Sequence, residues 1–236
     1  MCYSQALASD SPKVRQAKNK CSSLARQKMN FRCAYQKLQL LLAGNFNKGD
    51  LWITFGYDDE HLPKNRAAAK KQIAAFFDRL RKSRKLAGQE LKYVYVIHEL
   101  QDDGTRRLHH HLIINSTDGN YDEVRALWPN GSNIEICRIS ESDFYSHDDF
   151  LELAQYLVRE RNPDAPFTVI GDKGWCSSRN LKKPEIHSEL VDENITITAP
   201  PGAFIIDTDS KRNEYGVFDY IVYLLPERPQ NRHRKE

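Results

Sequence analysis

Residues 91–115 read LKYVYVIHELQDDGTRRLHHHLIIN, two apolar-rich runs separated by a short polar turn. The reading is a strand over residues 91–99, a connection carrying the Asp103-Gly104 hairpin signal, and a strand over residues 108–115. Side chains two apart in a strand share a face, so His109 and His111 project together while His110 points the other way. Glu99 closes the partner strand within reach of that pair, and His98, its neighbour, is expected on the opposite face. Two imidazoles and a carboxylate on adjacent strands are a candidate divalent-metal site.

On either side of this hairpin the chain is ordered. Leu51-Trp52-Ile53-Thr54-Phe55 is β-branched and aromatic, a short strand. Residues 65–86 place Ala69, Ile73, Phe76, Phe77 and Leu80 at helical spacing, and Gly88 stops the run. A short helix is expected near residues 121–128, a fourth strand over 133–139, and another helix over 148–160. The order β-α-β-β-α-β-α predicts an α+β fold, a ferredoxin-like βαββαβ antiparallel sheet with helices on one face and one further helix. Before it, residues 1–48 form a basic arm with a helix over 31–43. Residues 49–162 are the core, 163–226 an extension with short strands near 195–198, 203–206 and 220–225, and 227–236 a basic disordered tail.

Charge is segregated. Residues 1–48 hold nine Lys or Arg against Asp10 alone, and residues 64–92 hold ten against Asp78 and Glu90, although the formal net charge is only +3. Two basic segments of this size are the footprint of a polyanion partner. Lys70 and Arg81 in the long helix and Arg179, Lys182 and Lys183 in the loop WCSSRNLKKP are the candidate nucleic-acid contacts, with Trp175 able to stack on an unpaired base. No apolar run approaches a membrane span, and the N-terminus has no signal-peptide core, so a cytoplasmic protein is expected. The five cysteines contain no Cys-x-x-Cys pair, which argues against a zinc ribbon or a disulfide framework. No P-loop pattern occurs, so unwinding of duplex DNA is left to a separate host or accessory helicase.

Tyr156, in FLELAQYLVRE, falls at the edge of the stripe Phe150, Leu153, Ala154 and Leu157, beside Glu152, Arg159 and Glu160. Three stretches then resemble the HUH (His-hydrophobe-His) endonucleases, above all the rolling-circle replication initiators of plasmids and phages. They are Trp52–Tyr57 with the following DDEHLP, then Arg107–Leu112 with Glu99 upstream, then Ala154–Arg159. The metal motif precedes the tyrosine, as in the initiators; conjugative relaxases reverse that order. His110 stands where the family has an apolar residue, and Arg159 stands where it often has Lys.

The resemblance implies a metal-dependent nickase and strand transferase acting on single-stranded or hairpin origin DNA. Glu99, His109 and His111 would hold Mg²⁺ or Mn²⁺, with Zn²⁺ also compatible and with His61 or His110 as further possible ligands. Tyr156 would be the nucleophile, leaving a 5′-phosphotyrosine, and Arg159 a catalytic cation that helps form its phenolate. Other readings stay open on the residues alone: an HUH transposase or relaxase-like nuclease, a non-catalytic DNA-binding replication protein, or a zinc hydrolase using water.

Overall fold

The computed structural model describes residues 23–117, 120–142, 150–169, 173–185, 187, 196–213 and 216–225. The chain divides into two compact units, one spanning Cys21–Glu185 and the other containing the C-terminal hairpin. Most of the expected N-terminal arm (residues 1–22) and the tail (227–236) lie outside the described residues.

The larger unit opens with α1 (Leu24–Ala43), whose cap Ser23 accepts a hydrogen bond from the Arg26 amide. This helix starts earlier than the expected 31, because a polar first turn with a serine cap shows no apolar periodicity. Strand β1 (Leu51–Phe55) follows, then α2 (Arg66–Leu86), capped by the Asn65 side chain on the Ala68 amide at 2.9 Å. Strands β2 (Tyr93–Leu100) and β3 (Arg106–Ile114) form the hairpin quoted above. Its turn uses Gly104 at φ 83°, a conformation that strains residues with a Cβ. Helix α3 (Asn120–Ala126), strand β4 (Ile134–Arg138), helix α4 (Leu151–Leu157) and the short edge strand β5 (Cys176–Ser177) complete the unit. The expected start of the last helix, residue 148, lies outside the described residues; a 3-10 turn, Arg159–Arg161, extends its end.

The sheet order is β4-β1-β3-β2-β5, with every pairing antiparallel. The first four strands reproduce the ferredoxin-like order, and β5 is added beside β2. One face carries α2, whose Ile73, Phe76, Phe77 and Leu80 pack on Ile53, Phe55 and Leu112, with Val124 of α3 and Trp128 in the same core. Burial of each such side chain contributes about 1.5–3 kcal/mol. The opposite face is partly covered by α1 and α4, through Leu38, Leu42, Leu153 and Leu157 against Trp52, Val96 and Ile113. The two crossover helices thus share one face, while the N-terminal helix and α4 are additions that roof part of the other. The uncovered remainder of that second face is a cleft.

In the second unit, β6 (Phe204–Asn213) and β7 (Gly216–Leu224) form an antiparallel hairpin. The expected strand near 195–198 is absent from residues 196–200, and residue 195 lies outside the described set. Among the described residues no helix is long and apolar enough to cross a membrane.

Candidate active site

Strand β3 carries His109 and His111 on the face roofed by α1 and α4, and His110 on the α2 face. The pairing of His98 with His109 across the hairpin brings a third imidazole to the first two. One ring nitrogen from each of His98, His109 and His111 lies within 4.8 Å of the others, and all three residues are buried.

Glu99, expected as the carboxylate ligand, lies apart from this group. Its two oxygens take Arg66 at 3.2 Å and Arg106 at 2.7 Å. The cause is a bulge between His98 and Leu100. Continuing the Leu100–Arg106 pairing without interruption would set Ile97 opposite His109 and turn Glu99 toward the histidines. The bulge inserts one residue, and a one-residue slip exchanges the faces. His98, expected on the face away from the pair, therefore takes the place Glu99 was expected to fill. His110 instead meets the Tyr57 hydroxyl through Nε2 under Trp128, and His61 is exposed in the loop after β1.

Each clustered imidazole has one nitrogen tied outward. His98 Nε2 donates to the Leu157 carbonyl (2.9 Å), His109 Nδ1 to the Arg107 carbonyl (2.9 Å), and His111 Nδ1 meets Thr54 Oγ1 (3.1 Å). With those tautomers the remaining nitrogens, His98 Nδ1, His109 Nε2 and His111 Nε2, carry the lone pairs, and that of His111 faces the Tyr156 hydroxyl. His98 Nδ1 is buried with no hydrogen-bond partner among the described residues. Burial is the main cause that holds all three pKa values below the ordinary histidine range, so the rings are neutral. Neutral imidazoles with outward-tied second nitrogens can act as the donor set of a metal site. The set fits a divalent cation and is softer than the two-imidazole, one-carboxylate set expected. It therefore suits Mn²⁺ or Zn²⁺ better than Mg²⁺.

Tyr156 of α4 faces this cluster. Its hydroxyl is 3.2 Å from His111 Nε2, and its ring meets Trp52, His98 and His111 edge-on. Trp52 in turn stacks on His111 with ring centroids 5.1 Å apart, fixing the imidazole from behind. Burial pushes the Tyr156 phenol up to about 12; Arg159 opposes the rise without cancelling it. The Arg159 guanidinium lies over the tyrosine ring at 4.2 Å, and its NH groups go to Asp102 (2.7 Å) and the Leu100 carbonyl (2.9 Å). It thus holds the ring and clamps α4 to the hairpin.

A second clamp has no counterpart in the sequence reading. Glu160, whose side chain is 5% exposed, accepts the Glu99 and Leu100 amides and lies 3.4 Å from Arg66. Its Oε1 satisfies both backbone donors at the bulged end of β2, so the same feature that turns His98 inward also anchors the tyrosine helix. Besides His98, expected on the other face, Thr54, Glu160 and the Leu157 carbonyl are given no part in the site by sequence. A Glu four residues after Tyr156 was visible, but nothing local announces its partners.

His109, His111 and Tyr156 line a cleft of about 630 Å³ that runs across β1 to β4. The candidate DNA contacts lie elsewhere. Arg81 and Arg179 line one groove with Lys85, and Lys70 lines a small cavity with Arg66, Lys173 and Trp175. Lys182 and Lys183 are exposed in the loop whose backbone meets Asn45.

Nothing among the curated proteins or the solved structures matches this chain. Residues 50–160, just under half of the chain, match the family model described as Replication-associated protein, of the ORF2 type. The matched stretch runs from the start of β1 through the tyrosine helix to Glu160, and so contains every residue of the cluster. That match supports a replication-associated protein, one expected to bind DNA.

Proposed function

We propose that the protein is a rolling-circle replication initiator that nicks and rejoins single-stranded origin DNA through Tyr156. The observation that carries this reading is the Tyr156 hydroxyl, 3.2 Å from His111 inside a cluster of three neutral imidazoles. The family match over residues 50–160 supports the replication part of it.

His98, His109 and His111 would hold a divalent cation; three imidazoles favour Zn²⁺ first and Mn²⁺ over Mg²⁺, and Mn²⁺ serves as the probe metal. When bound, the cation supplies Lewis-acid polarisation of the scissile phosphate and lowers the cost of charge developing on it. Every other part is played by the chain's own groups. Thr54 and the carbonyls of Arg107 and Leu157 orient the imidazoles. Arg159 and Glu160 fasten α4 so that the tyrosine is presented, not free to swing. A phenol pushed up to about 12 stays protonated at neutral pH, which keeps the nucleophile quiet until substrate and cation are both in place.

The reaction is a transesterification. Tyr156 Oη bonds to phosphorus as the bond from phosphorus to the 3′-oxygen breaks, leaving a 5′-phosphotyrosine and a free 3′-hydroxyl. The phenol proton leaves to solvent through the open cleft, and the leaving 3′-oxygen takes one from solvent. Attack by another 3′-hydroxyl reverses the chemistry and rejoins strands. Lys70, Arg81, Arg179, Lys182 and Lys183 would neutralise backbone phosphates outside the cleft, contributing affinity but no sequence selection.

The test is incubation of the full chain with a labelled single-stranded DNA library and Mn²⁺, followed by a denaturing gel. A covalent protein–DNA adduct that Tyr156→Phe abolishes is the expected result. Cleavage without any adduct would instead assign the nucleophile to water and the site to a hydrolase.

A further inference from the structure

The cleft floor extends beyond the groups that the proposed chemistry uses. Thr54 is paired with His111 on one side and with Glu135 of β4 on the other. Paired residues in antiparallel strands share a face, so His111, Thr54 and Glu135 form one row across it. Glu135 therefore lies two strand spacings, about 10 Å, from His111. Two residues before Glu135, just ahead of β4, Asn133 has its carbonyl bonded to the Gly56 amide and also lines the cleft. It sits against Gly56, where an added Cβ would stand 3.1 Å from the Asn133 amide nitrogen.

Glu135 differs from the other carboxylates of the cleft. Asp102 is paired with Arg159, Asp103 accepts from Thr105, and Glu141 accepts the Arg138 amide. Glu135 is exposed and, among the described residues, has no hydrogen-bond or ion-pair partner. A lone negative charge facing a polyanion is unfavourable unless the ligand brings it N–H donors. Phosphates and sugars bring it none that would offset the repulsion. The exposed edge of an unpaired base does: adenine and cytosine carry one exocyclic amine and guanine an amine beside a ring N–H, whereas thymine offers a single ring N–H flanked by two carbonyl oxygens that repel a carboxylate. The neighbouring Asn133 amide offers both a donor and an acceptor, enough to fix the base in plane.

We propose that Asn133 and Glu135 form a nucleobase subsite close to the scissile phosphate, accepting bases with an exocyclic amine and rejecting thymine. This rests on the reading that single-stranded DNA occupies the cleft. It adds the source of sequence preference, which the basic residues outside the cleft do not supply.

The test reads binding, so that it does not depend on cleavage. Full-length Tyr156→Phe protein is equilibrated with a random single-stranded DNA pool, with and without Mn²⁺, and the bound fraction is sequenced. One position in the recovered motif should be depleted in thymine by roughly 5- to 150-fold, the range of one good base contact. Glu135→Gln, with a donor as well as an acceptor, should remove that depletion at equal or greater overall affinity, and Asn133→Ala should weaken it. Absence of any thymine-depleted position, or depletion that survives Glu135→Gln, would overturn the subsite. Loss of Mn²⁺ binding in Glu135→Gln would overturn it as well, by giving the carboxylate to a cation. A base preference found in a protein that forms no adduct would leave the subsite standing and reject the nickase.

Discussion

Replacing His110 with Gln should flatten the acid limb of the stability profile. His110 is fully buried on the α2 face, bonded through Nε2 to the Tyr57 hydroxyl and edge-on to Trp128. Burial is the main cause that lowers its pKa from 6.5 to about 3. Below pH 6.5 the unfolded chain takes up a proton that the folded chain refuses until pH 3, so stability falls with pH across that window. From these two pKa values, the loss between pH 7 and pH 4 is about 3 kcal/mol for this residue. His98, His109 and His111 are lowered by burial too, and their effects run in the same direction. Urea unfolding of metal-free protein at pH 7 and pH 4 gives the difference directly. Gln keeps an acceptor for Tyr57, so the variant should fold, somewhat less stable at pH 7, and lose about 3 kcal/mol less than wild type on acidification. Equal losses in the two proteins would refute the claim that His110 is held neutral by burial.

The remaining predictions concern the cluster and its supports. A hundredfold excess of Mn²⁺ over its Kd should stabilise the wild type by about 2.7 kcal/mol. His98→Ala and His109→Ala should lose that gain in a thermal melt while Glu99→Ala keeps it; the opposite pattern would restore Glu99 as the ligand. Thr54→Val removes the outward tie of His111 Nδ1 and should weaken Mn²⁺ binding by roughly 10- to 100-fold with little change in fold, measured by titration. Glu160→Ala leaves Arg66 and two backbone amides short of a partner and should cost about 3–5 kcal/mol in urea unfolding, more than Glu160→Gln.

Much of this architecture follows from local pattern. The alternation in β2 and β3 and the α2 stripe of Ile73, Phe76, Phe77 and Leu80 are read from one segment at a time, and they yield the ferredoxin-like order. His109 and His111 share a face for the same reason. What lies between segments is another matter. Whether His98 or Glu99 joins the pair depends on a single inserted residue near the turn, and strand period alone carries no record of it. The ion pairs of Glu99 with Arg66 and of Glu160 with Arg66 join residues far apart in the chain, set by how α2 and α4 meet the edge of β2. Arg159 was legible as a cation near Tyr156. Its position over the ring, engaged by Asp102 and Leu100, was not. The start of α1 was missed because residues 24–30 bury almost nothing.

The central claim is that Tyr156 is the nucleophile. The most direct measurement is mass spectrometry of the protein after reaction with 5′-extended single-stranded DNA and Mn²⁺, nuclease trimming and proteolysis. The account predicts a peptide containing Tyr156 heavier by a 5′-linked nucleotide, absent from Tyr156→Phe. A nucleotide on any other residue, or DNA cleavage with every peptide unmodified, would contradict it.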